Sequence, residues 1–109
     1  HWNARDFLAD FGAVQTPERV VRDGNLFTAG GVTAGIDFGL TIVAALRGEK
    51  EAEAVQLSLE YAPMPPFNSG TPEDASADVL AATRQRLAGS RAARQAIIAR
   101  LPLARNSAG

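Results

Sequence analysis

Few residues in this chain are of a type that does chemistry, and they are scattered. A single histidine, His1, opens it and is followed by Trp2. There is no cysteine, so these residues supply no thiolate nucleophile, disulfide or thiolate metal ligand. One imidazole does not make a self-contained zinc site either. The run from Ala29 through Gly30, Gly31, Val32 and Thr33 to Asp37 reads as a glycine elbow opening a helix. Such an elbow places backbone N–H groups at a helix N-terminus, where they can face a ligand or a nucleophile. A phosphate cradle is the weaker reading, because GGxxxG is not GxGxxG and no Lys-Ser/Thr follows. Close packing of strand on helix is a third explanation for Gly30 and Gly31, and it stays open. Asp37 lies in the first turns of the helix and suits a dipole partner or a hydrogen-bonded structural acid. The Asp6/Asp10 pair and the Glu49, Glu51, Glu53 run do not converge as metal ligands do, and read as solvated.

The elements that must position these residues follow from pattern. Asn3 to Phe11 reads as a short helix with Asn3 as N-cap, Phe7, Leu8 and Phe11 on one face, and Gly12 as its stop. Arg19–Arg22 and Leu26–Ala29 are short β segments around Asp23-Gly24, a hairpin-turn signal. The second is expected to be buried. Thr33 then starts a helix that its hydroxyl can cap. Ile36, Leu40 and Val43 form a stripe that Phe38, Ile42 and Leu46 widen until little polar face is left, which predicts a helix covered on nearly all sides and ended by Gly48. Glu49–Glu60 is a second helix, apolar at Ala52, Val55 and Leu59. Ala62–Pro72 is proline-rich and extended, pinned by Met64 and Phe67. Tyr61, Met64 and Phe67 suit a pocket lining, a dimer seam or simple loop anchoring. Glu73–Leu87 resumes helix with Val79, Leu80, Thr83 and Leu87 on one side, and Ser90 starts another that runs to Pro102. Ala104–Gly109 reads as a disordered end.

Composition bounds the class. The 109 residues suffice for at most one domain, 46% are hydrophobic, and the net charge is −1. No apolar run reaches transmembrane length, and a soluble, cytoplasmic protein is expected. All twelve acidic residues lie at or before Asp78, while six of the eleven basic residues follow it, all of them arginines. The leading part therefore carries −7 and the rest +6. A basic helical extension lying on an acidic body accounts for this; nucleic-acid contact is the lesser reading, with too few residues left for a double helical DNA-binding module.

Several runs together carry a resemblance: His1-Trp2, the Arg19–Leu26 strand pair, AGGVTAGIDFGLTIVAALRG from Ala29 to Gly48, and Glu60–Glu73 (EYAPMPPFNSGTPE). Over its first 75 residues the chain resembles the distal half of the ThiJ/PfpI, class I glutaminase-like superfamily, and within it the isonitrile hydratase branch. The resemblance implies an α/β fold, the C-terminal half of a flavodoxin-like three-layer α/β/α sandwich over residues 1–75. An Arg-rich helical extension would occupy 76–109. The chain opens without Met or a first strand, and so reads as a piece of a longer protein whose N-terminal half is missing.

By the same resemblance, the nucleophile is a cysteine upstream of His1 and the substrate is a small isonitrile, hydrated to an N-substituted formamide without metal or organic cofactor. His1 matches a histidine that hydrogen-bonds the thiol in many relatives, with a structural His1 as the competing reading. Gly30, Gly31, Val32 and Thr33 match the loop that walls the pocket. A homodimer is implied. Two other readings belong to the same superfamily: a ligand-sensing domain of a transcriptional regulator, and a stress-response relative acting on aldehydes or damaged protein. The PPFNSGTPE run favours the hydratase.

Overall fold

The computed structural model describes residues 1–103; Ala104–Gly109, the expected disordered end, lie outside the described residues. Among the described residues the chain is mixed α/β and divides into two compact units. One is Thr16–Pro66, and the other joins His1–Gln15 to the segment from Phe67 onward.

The Thr16–Pro66 unit begins with a hairpin of β1 (Val20–Asp23) and β2 (Leu26–Ala29), antiparallel, with Val20 opposite Ala29 and Asp23 opposite Leu26. The loop is Gly24-Asn25, one residue later than expected. Gly24 has φ 59° and leads the pair, the arrangement of a type II′ turn, whose twist suits the strands. Across the pair the Arg22 guanidinium lies 4.9 Å from the centre of the Phe27 ring. β2 is not the buried strand the sequence suggests: only Phe27 is half-buried and its other residues are exposed. A two-stranded ribbon has no neighbouring strand to cover its faces.

Helix α1 (Ala34–Arg47) packs on the hairpin and on helix α2 (Glu49–Ser58). One residue joins the helices. Gly48 takes φ 93° and ψ 162°, a conformation an L-residue enters only under strain, and its N–H donates to the Ala44 carbonyl at 2.9 Å. The cover expected around α1 is partial, with Phe38, Leu40, Ile42 and Val43 half-buried. Only Ala34 is fully buried, while Ile36 and Leu46 are exposed. On α2, Ala52 is buried and Val55 half-buried, but Leu59 is exposed.

The end of α2 is a Schellman motif built without glycine. Tyr61 N–H donates to the Gln56 carbonyl at 3.1 Å and Glu60 N–H to the Leu57 carbonyl at 3.0 Å, with Glu60 at φ 50°. The prolines then keep the following segment irregular. Met64 and Phe67 do not pin it, since both are largely exposed.

In the other unit, Arg5–Phe11 forms a 3₁₀ helix with Ala4, not Asn3, at its N-cap, and Gly12 closes it as expected. At three residues per turn, Leu8 and Phe11 share one line and Phe7 another. Phe7 is accordingly buried and the other two are exposed. Helix α3 (Ala77–Ile98) replaces the two helices expected from sequence. Ser76 caps it by accepting from Val79 N–H, and Thr71–Asp74 form the preceding turn. It runs unbroken through Gly89-Ser90 because its flanking Ala, Arg, Leu and Gln residues are strong helix formers, and one interior glycine costs only about 1 kcal/mol. Ser90 donates its hydroxyl back to the Leu87 carbonyl. Leu80, Thr83, Leu87, Arg91 and Ile98 are half-buried and share one helical stripe. No helix among the described residues is long and apolar enough to cross a membrane.

Candidate functional site

The elbow sits where the sequence places it, between β2 and α1. Gly30 extends the hairpin ladder, its N–H donating to the Arg19 carbonyl at 3.0 Å. That donor is therefore committed and cannot face a pocket. Gly31 has φ 74°, which turns the chain away from the strand at a position few side chains tolerate. Val32 is almost fully exposed. Thr33 is the N-cap residue, but its hydroxyl makes no capping hydrogen bond. Its backbone is already helical, φ −74° and ψ −22°, whereas a capping side chain reaches the N2 or N3 amide from an extended backbone. The elbow thus offers the N–H groups after Gly30, at the positive end of a 14-residue helix.

Asp37, in the first turn of α1, is the node of this unit. It accepts from Arg19 Nε, forming an ion pair, and from the Tyr61 hydroxyl at 2.5 Å. Both interactions favour the ionised acid, so the Tyr61 hydroxyl and then the Arg19 guanidinium hold its carboxyl below the usual carboxylate range. The same carboxylate pushes the Tyr61 hydroxyl up and the Arg19 guanidinium up. This is the hydrogen-bonded structural acid expected from sequence. Of the roles open to Tyr61, the structure shows anchoring on Asp37. Sequence pattern gave no sign of either partner: Arg19 and Tyr61 lie 18 and 24 residues away.

His1 falls in the other unit. It is exposed, its Nδ1 accepts from Asn3 N–H at 3.1 Å, and its ring lies 5.4 Å from that of Trp2. Because Nδ1 accepts, the neutral ring carries its proton on Nε2, which makes Nε2–H a donor. The node of this unit is Arg91. It makes a two-pronged contact with Asp6, from Nη1 at 3.0 Å and Nη2 at 2.5 Å, and donates to the Asn3 carbonyl at 2.6 Å. Its guanidinium also lies 4.5 Å from the centre of the Phe7 ring. Asp6 is exposed, as expected of a solvated acid, but it is also ion-paired; the Arg91 hydrogen bonds draw its carboxyl below the usual range. An open groove of about 560 Å³ in this unit is lined by Trp2, Asn3, Arg5, Arg84, Arg91 and Gln95 among others, and His1 does not line it. No cluster of acidic or imidazole groups suited to a metal occurs among the described residues.

Comparison with known proteins adds to this geometry. No family model matches the chain. It is 54% identical over 90 residues to an isonitrile hydratase of Pseudomonas putida, a match over 83% of this chain and 40% of that protein. A crystal structure of a ThiJ/PfpI family protein from Pseudomonas syringae superposes with a TM-score of 0.85 at 49% identity, over 90% of this chain and 40% of that one. The chain spans about 40% of the length of each.

Proposed function

Since this chain belongs to the ThiJ/PfpI family over the nine-tenths of its length that the solved structure matches, we propose that it is the pocket-wall portion of an isonitrile hydratase. The observation that carries this reading is the 54% identity to an isonitrile hydratase over 90 residues, a stretch long enough to include most of both compact units. The reaction is hydration of R–N≡C to the formamide R–NH–CHO. A cysteine thiolate upstream of His1 adds to the terminal carbon, and protonation gives a thioimidate. Water then adds to that carbon and the thiol leaves.

In this account the elbow from Gly31 to Thr33 walls the pocket, and Gly30 anchors it to the hairpin. The Nε2–H of His1 suits a thiolate acceptor, because hydrogen bonding to the charged form of a thiol favours it. The nucleophile belongs to the part of the protein outside this chain. The reading carries with it a cytoplasmic homodimer that needs no metal or organic cofactor.

The test is turnover of a small isonitrile by the full-length protein in ¹⁸O-labelled water. One labelled oxygen in the formyl group is the expected result. Absence of turnover by folded protein would reject the hydratase and direct attention to ligand binding without chemistry.

A further inference from the structure

The elbow is held at both ends by one residue. Arg19 accepts the Gly30 N–H through its backbone carbonyl, 3.0 Å away, and grips Asp37 in the first turn of α1 through its side chain. Between Gly30 and the buried Ala34 that opens α1 lie Gly31, Val32 and Thr33, none of which makes a side-chain hydrogen bond among the described residues. Tyr61 completes the arrangement from the far side. The Schellman turn at Glu60 delivers its ring to α1, and its hydroxyl takes the second oxygen of Asp37. A glycine pair with an exposed valine has little packing of its own to fix it, so its conformation depends on what holds its ends.

We infer that Arg19, Asp37 and Tyr61 form a clamp that sets the position of the elbow, which makes Arg19 and Asp37 positioning residues for the chemistry at the pocket wall. This rests on the reading that the elbow walls the pocket. The clamp acts on geometry: the carboxylate ties the start of α1 to Arg19 at the entry of the hairpin, and the Arg19 carbonyl ties Gly30 at its exit, so the elbow between Gly30 and α1 is fixed at both ends. It also acts on charge. An unpaired Asp37 would place a negative charge beside the helix N-terminus and offset the positive end that the elbow N–H groups present. The Arg19 guanidinium removes that opposition.

The experiment uses the full-length protein and its Arg19→Met, Asp37→Ala, Arg19→Met/Asp37→Ala and Gly48→Ala variants. Isonitrile turnover and ¹⁵N order parameters at Gly30–Thr33 are both measured. The clamp predicts that Arg19→Met and Asp37→Ala each lower kcat by about 10- to 100-fold with KM within about twofold, as expected of a small misplacement. The double variant should be no worse than the worse single one, because the two residues act as a unit. Elbow order parameters should fall from the rigid range, about 0.85, towards 0.6 in the clamp variants. Gly48→Ala strains the same unit away from the clamp, and should lower Tm while leaving kcat and the elbow order parameters unchanged.

Two results would overturn the clamp: an elbow as rigid in Asp37→Ala as in the parent, or a loss of kcat that Gly48→Ala reproduces at equal Tm. If the parent itself shows no turnover, the hydratase reading fails, and the order parameters still decide whether the clamp exists.

Discussion

Asp37 and Asp6 each hold an arginine, one in each compact unit, and both are drawn below their ordinary value of 3.8. A depressed folded value means that the stabilisation is fully present above the unfolded value and is lost as pH falls through the folded one. Asp37→Asn in the full-length protein should therefore lower the urea midpoint at neutral pH, and the gap should close below about pH 3.8. An equal gap at both ends of that range would contradict the ion-paired Asp37. Glu60 provides the second residue-scale prediction. Its φ of 50° costs a non-glycine residue about 1–2 kcal/mol. Glycine removes that strain but adds about 0.5–1 kcal/mol of chain entropy to the unfolded state. Glu60→Gly should thus stabilise by up to about 1.5 kcal/mol, read as a raised urea midpoint with an unchanged slope. A lower midpoint would show that the Glu60 side chain contributes more than its backbone costs.

At the scale of the element, α3 is reinforced by a cap at its start and carries one weak position in its interior. Ser76 caps it, so Ser76→Ala should cost about 1 kcal/mol. Gly89 lies in the interior with open space where a Cβ would go, so Gly89→Ala should gain up to about 1 kcal/mol. Thermal unfolding of the two variants checks both signs, and a destabilised Gly89→Ala would mean that another surface packs against that position. The same helix shows what could be read from sequence. The stripe of Leu80, Thr83 and Leu87 was legible because it depends only on a 3.6-residue period. The break expected at Gly89-Ser90 was not real, since local breakers yield to strong helix formers on both sides. The hairpin and the stops at Gly12 and Gly48 were legible for the same local reason. The end of α2 was blurred because Glu60 takes a conformation that signals itself only when glycine occupies it. In the candidate site, the elbow was readable from its glycines, but Arg19 and Tyr61 converge on Asp37 through tertiary folding that no local pattern records.

At the scale of the whole molecule, the expected cover of α1 and β2 is incomplete in the described structure. Phe7, Ala34 and Ala52 are the buried apolar residues, while Val32, Leu46, Leu57 and Phe67 are largely exposed. β2 also leaves one edge unpaired. The isolated 109-residue chain should therefore bind a hydrophobic dye strongly and self-associate with rising concentration, and a soluble monomer with a cooperative transition would contradict this. The charge asymmetry is partly resolved, since Arg91 is spent on Asp6 and the Asn3 carbonyl, while Arg84, Arg86, Arg94 and Arg100 are exposed. The measurement that bears most directly on the central claim uses the full-length protein with cyclohexyl isocyanide, half of the sample treated beforehand with a thiol-alkylating reagent. Infrared spectroscopy follows loss of the isonitrile band and growth of the formamide carbonyl. The account predicts turnover in the untreated half and none after alkylation. Turnover that survives complete alkylation, or no turnover by folded, unmodified protein, would contradict it.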